Sequence, residues 1–279
     1  MNLTSLSNSI SSTDNSPLMP ILFVGHGSPM NAIEENEFSE EWQALSPTLP
    51  RPIAIVSISA HWETKGTFVT MSPTPQTIHD FYGFPQALYQ QRYAAKGDPQ
   101  LAQEIINQIE KPVIGGDNQW GLDHGTWTVL KYIYPKADIP VIQLSLDHFL
   151  TPQQHFELAR QLAFLRTKGV LVIGSGNMIH NLRMVNVQGN DFNAEHGYEW
   201  AFELNELFKT KILDRDIQPL VNFSSLHPDI KLAIPTAEHY LPMLYILGMM
   251  QPNEKISLFN DKVIAGSLSM TSFLINDYT

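Results

Sequence analysis

The chain has no cysteine. Disulfides and thiolate metal sites are therefore excluded, and any bound metal must be held by His, Asp or Glu. No apolar run approaches the ~20 residues that span a bilayer. Cationic residues are scarce, with 17 Lys and Arg against 28 Asp and Glu and a net charge of -11. That balance argues against a nucleic-acid surface or an anionic membrane as partner. Residues 1–17 lack the basic start and apolar centre of a signal peptide. Rich in Ser and Asn, they are expected to form a disordered polar tail on a cytoplasmic protein. No repeat, linker or break in composition divides the remainder, so residues 18–279 are expected to fold as one catalytic domain. The oligomeric state is left open, with a monomer favoured.

What the chain does have is histidine, 10 in all. The stretch Pro20-Ile-Leu-Phe-Val-Gly-His-Gly-Ser-Pro-Met30 is a continuous apolar run ending in turn residues, the pattern of a short buried strand. His26 stands just past it, between two glycines that let the chain bend. A second such run, Ile53–Ala60, leads straight into His61. A third, from Val170, leads through a Gly-rich turn to His180. If these strands are parallel, the imidazoles emerge at one edge of the sheet, where open α/β sheets bind ligands. Imidazole is the commonest protein metal ligand, so a metal site is the leading expectation.

Around these strands the pattern predicts helices over Glu34–Leu45 and over Leu101–Ile109, the latter capped by Asp98. Others are expected from Thr151 to about Lys168, over Glu195–Leu213, and from Pro235, with Thr236 as N-cap and Glu238 and His239 in the first turn. Further strands are expected at Thr67–Met71, Ile139–Leu146 and Val263–Leu274. Strands alternating with helices indicate an α/β fold, a largely parallel central sheet flanked by helices, with the metal site at the C-terminal edge of its strands. The Pro-rich loop 72–85 carries Phe81, Tyr82 and Phe84 beside His79 and Asp80. It is either a substrate wall or lid, or a loop packing its own aromatics. His124 is flanked by Asp123 and Gly125 in a turn-like setting. His148 also follows a strand, and spacing alone does not separate it from His61. His155, in an amphipathic helix, and His227, before Pro228, read as packing or surface residues.

Six motifs in order carry a resemblance: Gly25-His-Gly-Ser-Pro-Met30, Ser59-Ala-His-Trp62, Thr77-Ile-His-Asp-Phe81, Asp123-His-Gly-Thr-Trp127, Gly174-Ser-Gly-Asn-Met-Ile-His-Asn181 and Pro235-Thr-Ala-Glu-His-Tyr-Leu-Pro242. Together they resemble the 4,5-DOPA-extradiol dioxygenases, within the class III extradiol ring-cleavage family that also holds the catalytic subunit of protocatechuate 4,5-dioxygenase. The resemblance implies one divalent metal per chain, Fe(II) for catalysis with Zn2+ able to occupy the same site. It implies a catechol and O2 as partners, an L-DOPA-like substrate and a muconate semialdehyde product. By position, His26 and His61 match two metal ligands. His180 and His239 match the remaining metal-site histidines, with His180 also matching a catalytic base. His124 matches a substrate-facing catalytic histidine. Protocatechuate-type relatives complete their ligand set with a glutamate; this chain offers Glu238 and His239 there, and the DOPA-type pattern favours His239. Ser28, His79 and Asp80, inside the motifs, are substrate-pocket candidates, and Asp80, Asp123 and Glu238 are candidates to fix imidazole tautomers. From the residues alone, a zinc-dependent hydrolase or a non-catalytic metal-binding domain stand as alternatives.

Overall fold

The computed structural model describes residues 18–189 and 191–277; the tail expected at 1–17 lies outside them. Strand β1 (Ile21–Gly25) shows why its sequence does not alternate. Ile21 and Phe23 enter one hydrophobic core while Leu22 and Val24 enter another, on the opposite face. A strand covered on both faces has no polar side to present to water. The same division holds in β2 (Ala54–Thr64), where Val56 and Ile58 face one core and Ile55 the other. The remaining strands are β3 (Thr67–Thr70), β4 (Ile114–Asp117), β5 (Val141–Asp147), β6 (Val170–Gly176) and β7 (Lys255–Phe259), with the short β8 (Val263–Ile264) and β9 (Leu268–Ser269) before β10 (Ser272–Asn276).

The main sheet has the order β4-β3-β5-β2-β6-β1-β10-β7. Its centre, β5-β2-β6-β1, is parallel, and antiparallel strands extend β1 through β10 to β7. The single α/β domain with a mostly parallel central sheet is thus as the sequence pattern implied. One face is covered by helices α1 (Glu37–Leu45) and α3 (His124–Ile133), through Trp42, Trp127 and Leu130. The other is covered by α2 (Pro99–Gln108), α4 (Pro152–Leu162), α5 (Glu199–Leu213) and α6 (Leu241–Met249). Among the described residues no helix is long and apolar enough to cross a membrane.

Several boundaries move for local reasons. Helix α1 begins at Glu37, not Glu34, because Asn36 caps it by accepting from the amides of Phe38 and Ser39. The helix expected to reach Lys168 is interrupted at Ala163, and α5 begins four residues later than Glu195. Thr236 is not an N-cap; its hydroxyl donates to the Glu238 carboxylate at 2.9 Å. The helix waits until Leu241 because Pro242 lacks an amide hydrogen and fits only a first turn. Glu238 and His239 therefore sit in the bend before the helix. The strand expected over Val263–Leu274 is broken into the β8–β9 hairpin and β10. Strand β2 continues beyond Ala60, so His61 lies in a bulge where its register to β5 shifts between Ile58 and Glu63.

His155 settles as a packing residue, fully buried, its Nδ1 bonded to the Tyr245 hydroxyl at 2.9 Å. Burial is the main cause that lowers its pKa to about 4, against smaller opposing effects of Asp147. The folded pKa lies below the unfolded value, so the unfolded chain binds the extra proton first. Stability is full above pH ~6.5 and is lost as pH falls toward the folded pKa, by about 2–3 kcal/mol for this residue. Chemical denaturation of wild type and His155→Gln at pH 7 and 4.5 should give a smaller acid loss in the variant. Equal losses would discard this account.

Candidate metal centre

Four elements meet at the C-terminal edge of the parallel strands. Gly25 and Gly176 are partners at the ends of β1 and β6, and the His26 amide donates to the Gly176 carbonyl at 3.1 Å. Gly27, at φ +60°, then turns the chain away and leaves the His26 ring at the edge. Helix α3 begins with His124, where Asp123 caps it through the Thr126 amide at 3.1 Å. His239 is drawn in because its carbonyl accepts from the Asn177 amide at 2.8 Å. That approach requires glycine at 176, since a Cβ there would lie 2.1 Å from the His239 oxygen.

The rings of His26, His61 and His239 form a nearly equilateral triangle, with centroids 4.9, 5.1 and 5.4 Å apart. Hydrogen-bond accounting fixes the tautomers of two of them. The Ser175 hydroxyl has one proton and gives it to the Gly125 carbonyl at 2.6 Å, so toward His26 Nδ1, at 2.9 Å, it can only accept. The Asp80 carboxylate can only accept, and its Oδ2 lies 3.2 Å from His61 Nδ1 and 2.8 Å from His124 Nδ1. Glu238 Oε1 likewise accepts from His239 Nδ1 at 3.2 Å. His26 and His239 therefore carry the proton on Nδ1 and a lone pair on Nε2, whereas His61 Nδ1 lies near the Asp80 carboxylate without a hydrogen bond to it.

A cation would satisfy these nitrogens. His26 Nε2 and His61 Nε2 are 3.0 Å apart, close enough to share one ion. His239 Nε2 is buried without any hydrogen-bond partner. Two imidazole nitrogens each about 2.1 Å from one ion, at right angles, would be about 3.0 Å apart. Three neutral imidazoles are donors suited to Fe, Zn, Cu or Ni. Their neutrality is built in. Burial first, then the neighbouring imidazoles, pull His26 and His239 well below the usual imidazole range. His61 is lowered to about 3 by burial and by His124, against the opposing charge of Asp80. Burial pushes the Asp80 carboxyl up, but its hydrogen bond with His124 and the two imidazoles outweigh this and hold it below the usual range.

His124 and His180 border the same centre. The ligand atoms of His124 lie within 4.8 Å of those of His26 and His61. His180 stacks on His239, with centroids 3.5 Å apart and ring planes 8° from parallel. Burial lowers its pKa to about 4, partly offset by Glu238. Above the histidines opens a cavity of about 650 Å³, walled by Met30, Phe81, Phe84, Val185 and Phe192. It is of a size and apolar character suited to a small aromatic ligand.

The other candidates sort as follows. Ser28 lines the cavity, and its hydroxyl caps the following turn by accepting from the Met30 amide at 3.2 Å. Asp80 lines it too. His79 does not; its Nε2 faces the Gln91 carbonyl at 3.0 Å, and its ring packs on Phe81 and Trp127. Asp123 bonds Gln143 at 2.7 Å and reaches no imidazole, so of the three acidic candidates only Asp80 and Glu238 orient histidines. His148 points outward to Glu63 at 3.3 Å. Ser175 was not anticipated, although a lone hydroxyl in the otherwise apolar run Val170–Ile173 into Gly174 needs a buried partner and was a usable signal.

Residues 19–267 match the family model of the catalytic LigB subunit of aromatic ring-opening dioxygenase. Over 261 residues the chain is 48% identical to the 4,5-DOPA dioxygenase extradiol of Escherichia coli strain K12, covering 92% of this chain and 94% of the relative. It is 34% identical to the 4,5-DOPA dioxygenase extradiol of Beta vulgaris, covering 90% and 94%. The crystal structure of an uncharacterized protein from Escherichia coli K12 superposes with a TM-score of 0.80 at 42% identity, covering 92% of this chain and all of that one. The chain belongs to the LigB family of aromatic ring-opening dioxygenases.

Proposed function

We propose that this enzyme cleaves a catechol with an L-DOPA-like side chain beside its diol, incorporating both atoms of O2 to give a muconate semialdehyde, with Fe(II) as the working metal. The observation that carries the reading is the cluster of His26, His61 and His239, whose ring centroids lie 4.9–5.4 Å apart, with the Nε2 atoms of His26 and His61 at 3.0 Å and that of His239 buried without a hydrogen-bond partner. Those residues would hold the metal. When bound, ferrous iron supplies the electron path between the catechol ring and O2. The cavity beside these histidines would give the catechol and O2 access to a metal held there.

The protein's own groups handle protons. His180 is neutral at working pH and beside Glu238, so it can take the second catechol proton and be stabilised while it holds it. Its parallel stack on His239 supports this role over ligation, because two parallel planes 3.5 Å apart cannot both contain one ion. His124, with Nδ1 bound to Asp80, turns its other nitrogen to the cavity, ready to hydrogen-bond a substrate oxygen. The apolar walls keep water from the reacting ring. A family of ring-opening dioxygenases does not favour the zinc-hydrolase or binding-module alternatives.

The test is anaerobic loading with Fe(II), then L-DOPA, dopamine, caffeate and protocatechuate in air. A yellow product with one O2 consumed per catechol is expected from the iron form, and neither from a zinc-loaded sample. Hydrolysis of an ester or amide panel by the zinc form, with no O2 uptake by the iron form, would reverse the assignment.

A further inference from the structure

One charged side chain in the cavity is used by nothing described so far. Glu34 follows the turn that starts at His26, lines the cavity and is half-buried. Its backbone is held by its amide, which donates to the Met30 carbonyl at 3.0 Å, and beside it the Tyr132 hydroxyl donates to the Asn31 carbonyl at 2.8 Å. The wall is thus fixed in place. Yet among the described residues its carboxylate has neither a hydrogen bond nor an ion pair. Two lysines of this region are engaged elsewhere: Lys131 Nζ bonds the Ala32 carbonyl at 2.7 Å and Gln91 Oε1 at 2.6 Å, and Lys262 pairs with Glu37 at 2.5 Å. Among the described residues no Lys or Arg lines the cavity. Asp80, the other carboxylate there, is already committed to His61 and His124.

We infer that Glu34 is a specificity-determining residue that receives a cationic group on the substrate's side chain. This deepens the ring-cleavage reading and rests on it only for the identity of the ring. The catechol end is drawn to the histidines, the ring lies between Met30, Phe81 and Phe84, and the far end of the side chain meets an unpaired carboxylate. An ammonium there gains a partner. A side chain ending in a carboxylate alone meets like charge and finds no cation. The ranking that follows is ammonium first, neutral next, anionic last.

The experiment is an anaerobic titration of the Fe(II)-loaded protein with dopamine, 4-methylcatechol and 3,4-dihydroxyphenylacetate, followed by the same set in air. Wild type should bind dopamine at least about fivefold more tightly than dihydroxyphenylacetate, the scale of one partly exposed ion pair. The difference should shrink as salt is raised. Glu34→Gln, which keeps shape and breaks no hydrogen bond, should melt like wild type, lose the preference and leave 4-methylcatechol binding unchanged. Glu34→Lys should invert the order. An unchanged preference in Glu34→Gln, or equal, salt-independent binding of all three by wild type, overturns the inference. If 4-methylcatechol is cleaved while the preference ignores Glu34, ring cleavage stands and Glu34 falls. If the Glu34-dependent preference holds but no catechol is opened in air, the reverse is true.

Discussion

Replacing His239 with Ala should strip most of the metal from the protein while leaving the fold in place. The His239 imidazole is buried, but its backbone carbonyl, bonded to Asn177, is what ties the bend to β6, and alanine keeps it. What disappears is a buried Nε2 with no hydrogen-bond partner among the described residues, one that a cation would satisfy. His26→Ala should act alike, because it removes one of two lone pairs held 3.0 Å apart. Either loss should exceed the about 10–100-fold in metal affinity typical of removing a group that only orients a ligand. Ser175→Ala tests that lower scale directly, since it frees the His26 ring to rotate without removing it. Metal content after dialysis, measured beside circular dichroism, reads all three. His148→Ala, exposed and paired only with Glu63, is the control and should retain metal. A His26→Ala protein with wild-type metal content would sink the assignment.

The placement of His26 could be anticipated because the pattern that buries a strand on both faces is unmistakable, and a histidine just past such a run has few places to go. Ile21 to Val24 is readable as a central strand for that reason, and His26 follows from it. His239 was reachable only through family resemblance. No strand precedes it, and the apolar stretch behind it suggested a helix beginning at Pro235. Pro242 held the answer, since a proline so deep in that helix would break it. The orienting groups were harder to find. Asp80 is 44 residues from His124, and the loop that brings them together has no periodicity to read. Asp123, an equal candidate and adjacent to His124 in sequence, instead caps the helix. Adjacency along the chain places two side chains near each other but does not aim them. For the same reason His79 fell outside the cavity while its neighbour Asp80 lines it.

His124→Phe should keep metal near the wild-type level and lose on the order of 10²-fold or more in turnover, the usual scale for a general acid–base or hydrogen-bonding group. The structure makes the variant informative because Asp80 does not depend on the ring alone. Its Oδ1 also accepts from the His124 backbone amide at 2.9 Å, a bond that phenylalanine preserves. Asp80 therefore stays beside His61, within 3.2 Å of its Nδ1. A competing arrangement exists, since His124 comes close enough to His26 and His61 to complete a three-histidine set in place of His239. The two arrangements separate cleanly. If His124 is the third ligand, His124→Phe loses metal and His239→Ala keeps it; if His239 is the ligand, the order reverses. His180→Ala provides the third point, with turnover lost but metal retained better than in His239→Ala, because a ring stacked flat on a ligand is not itself aimed at the ion. Metal titration of each variant, with single-turnover kinetics at saturating Fe(II), resolves the roles, since a group used only after substrate binds lowers the rate and leaves occupancy intact. Full metal loss in His124→Phe, or wild-type turnover in either His124→Phe or His180→Ala, would overturn this division of labour.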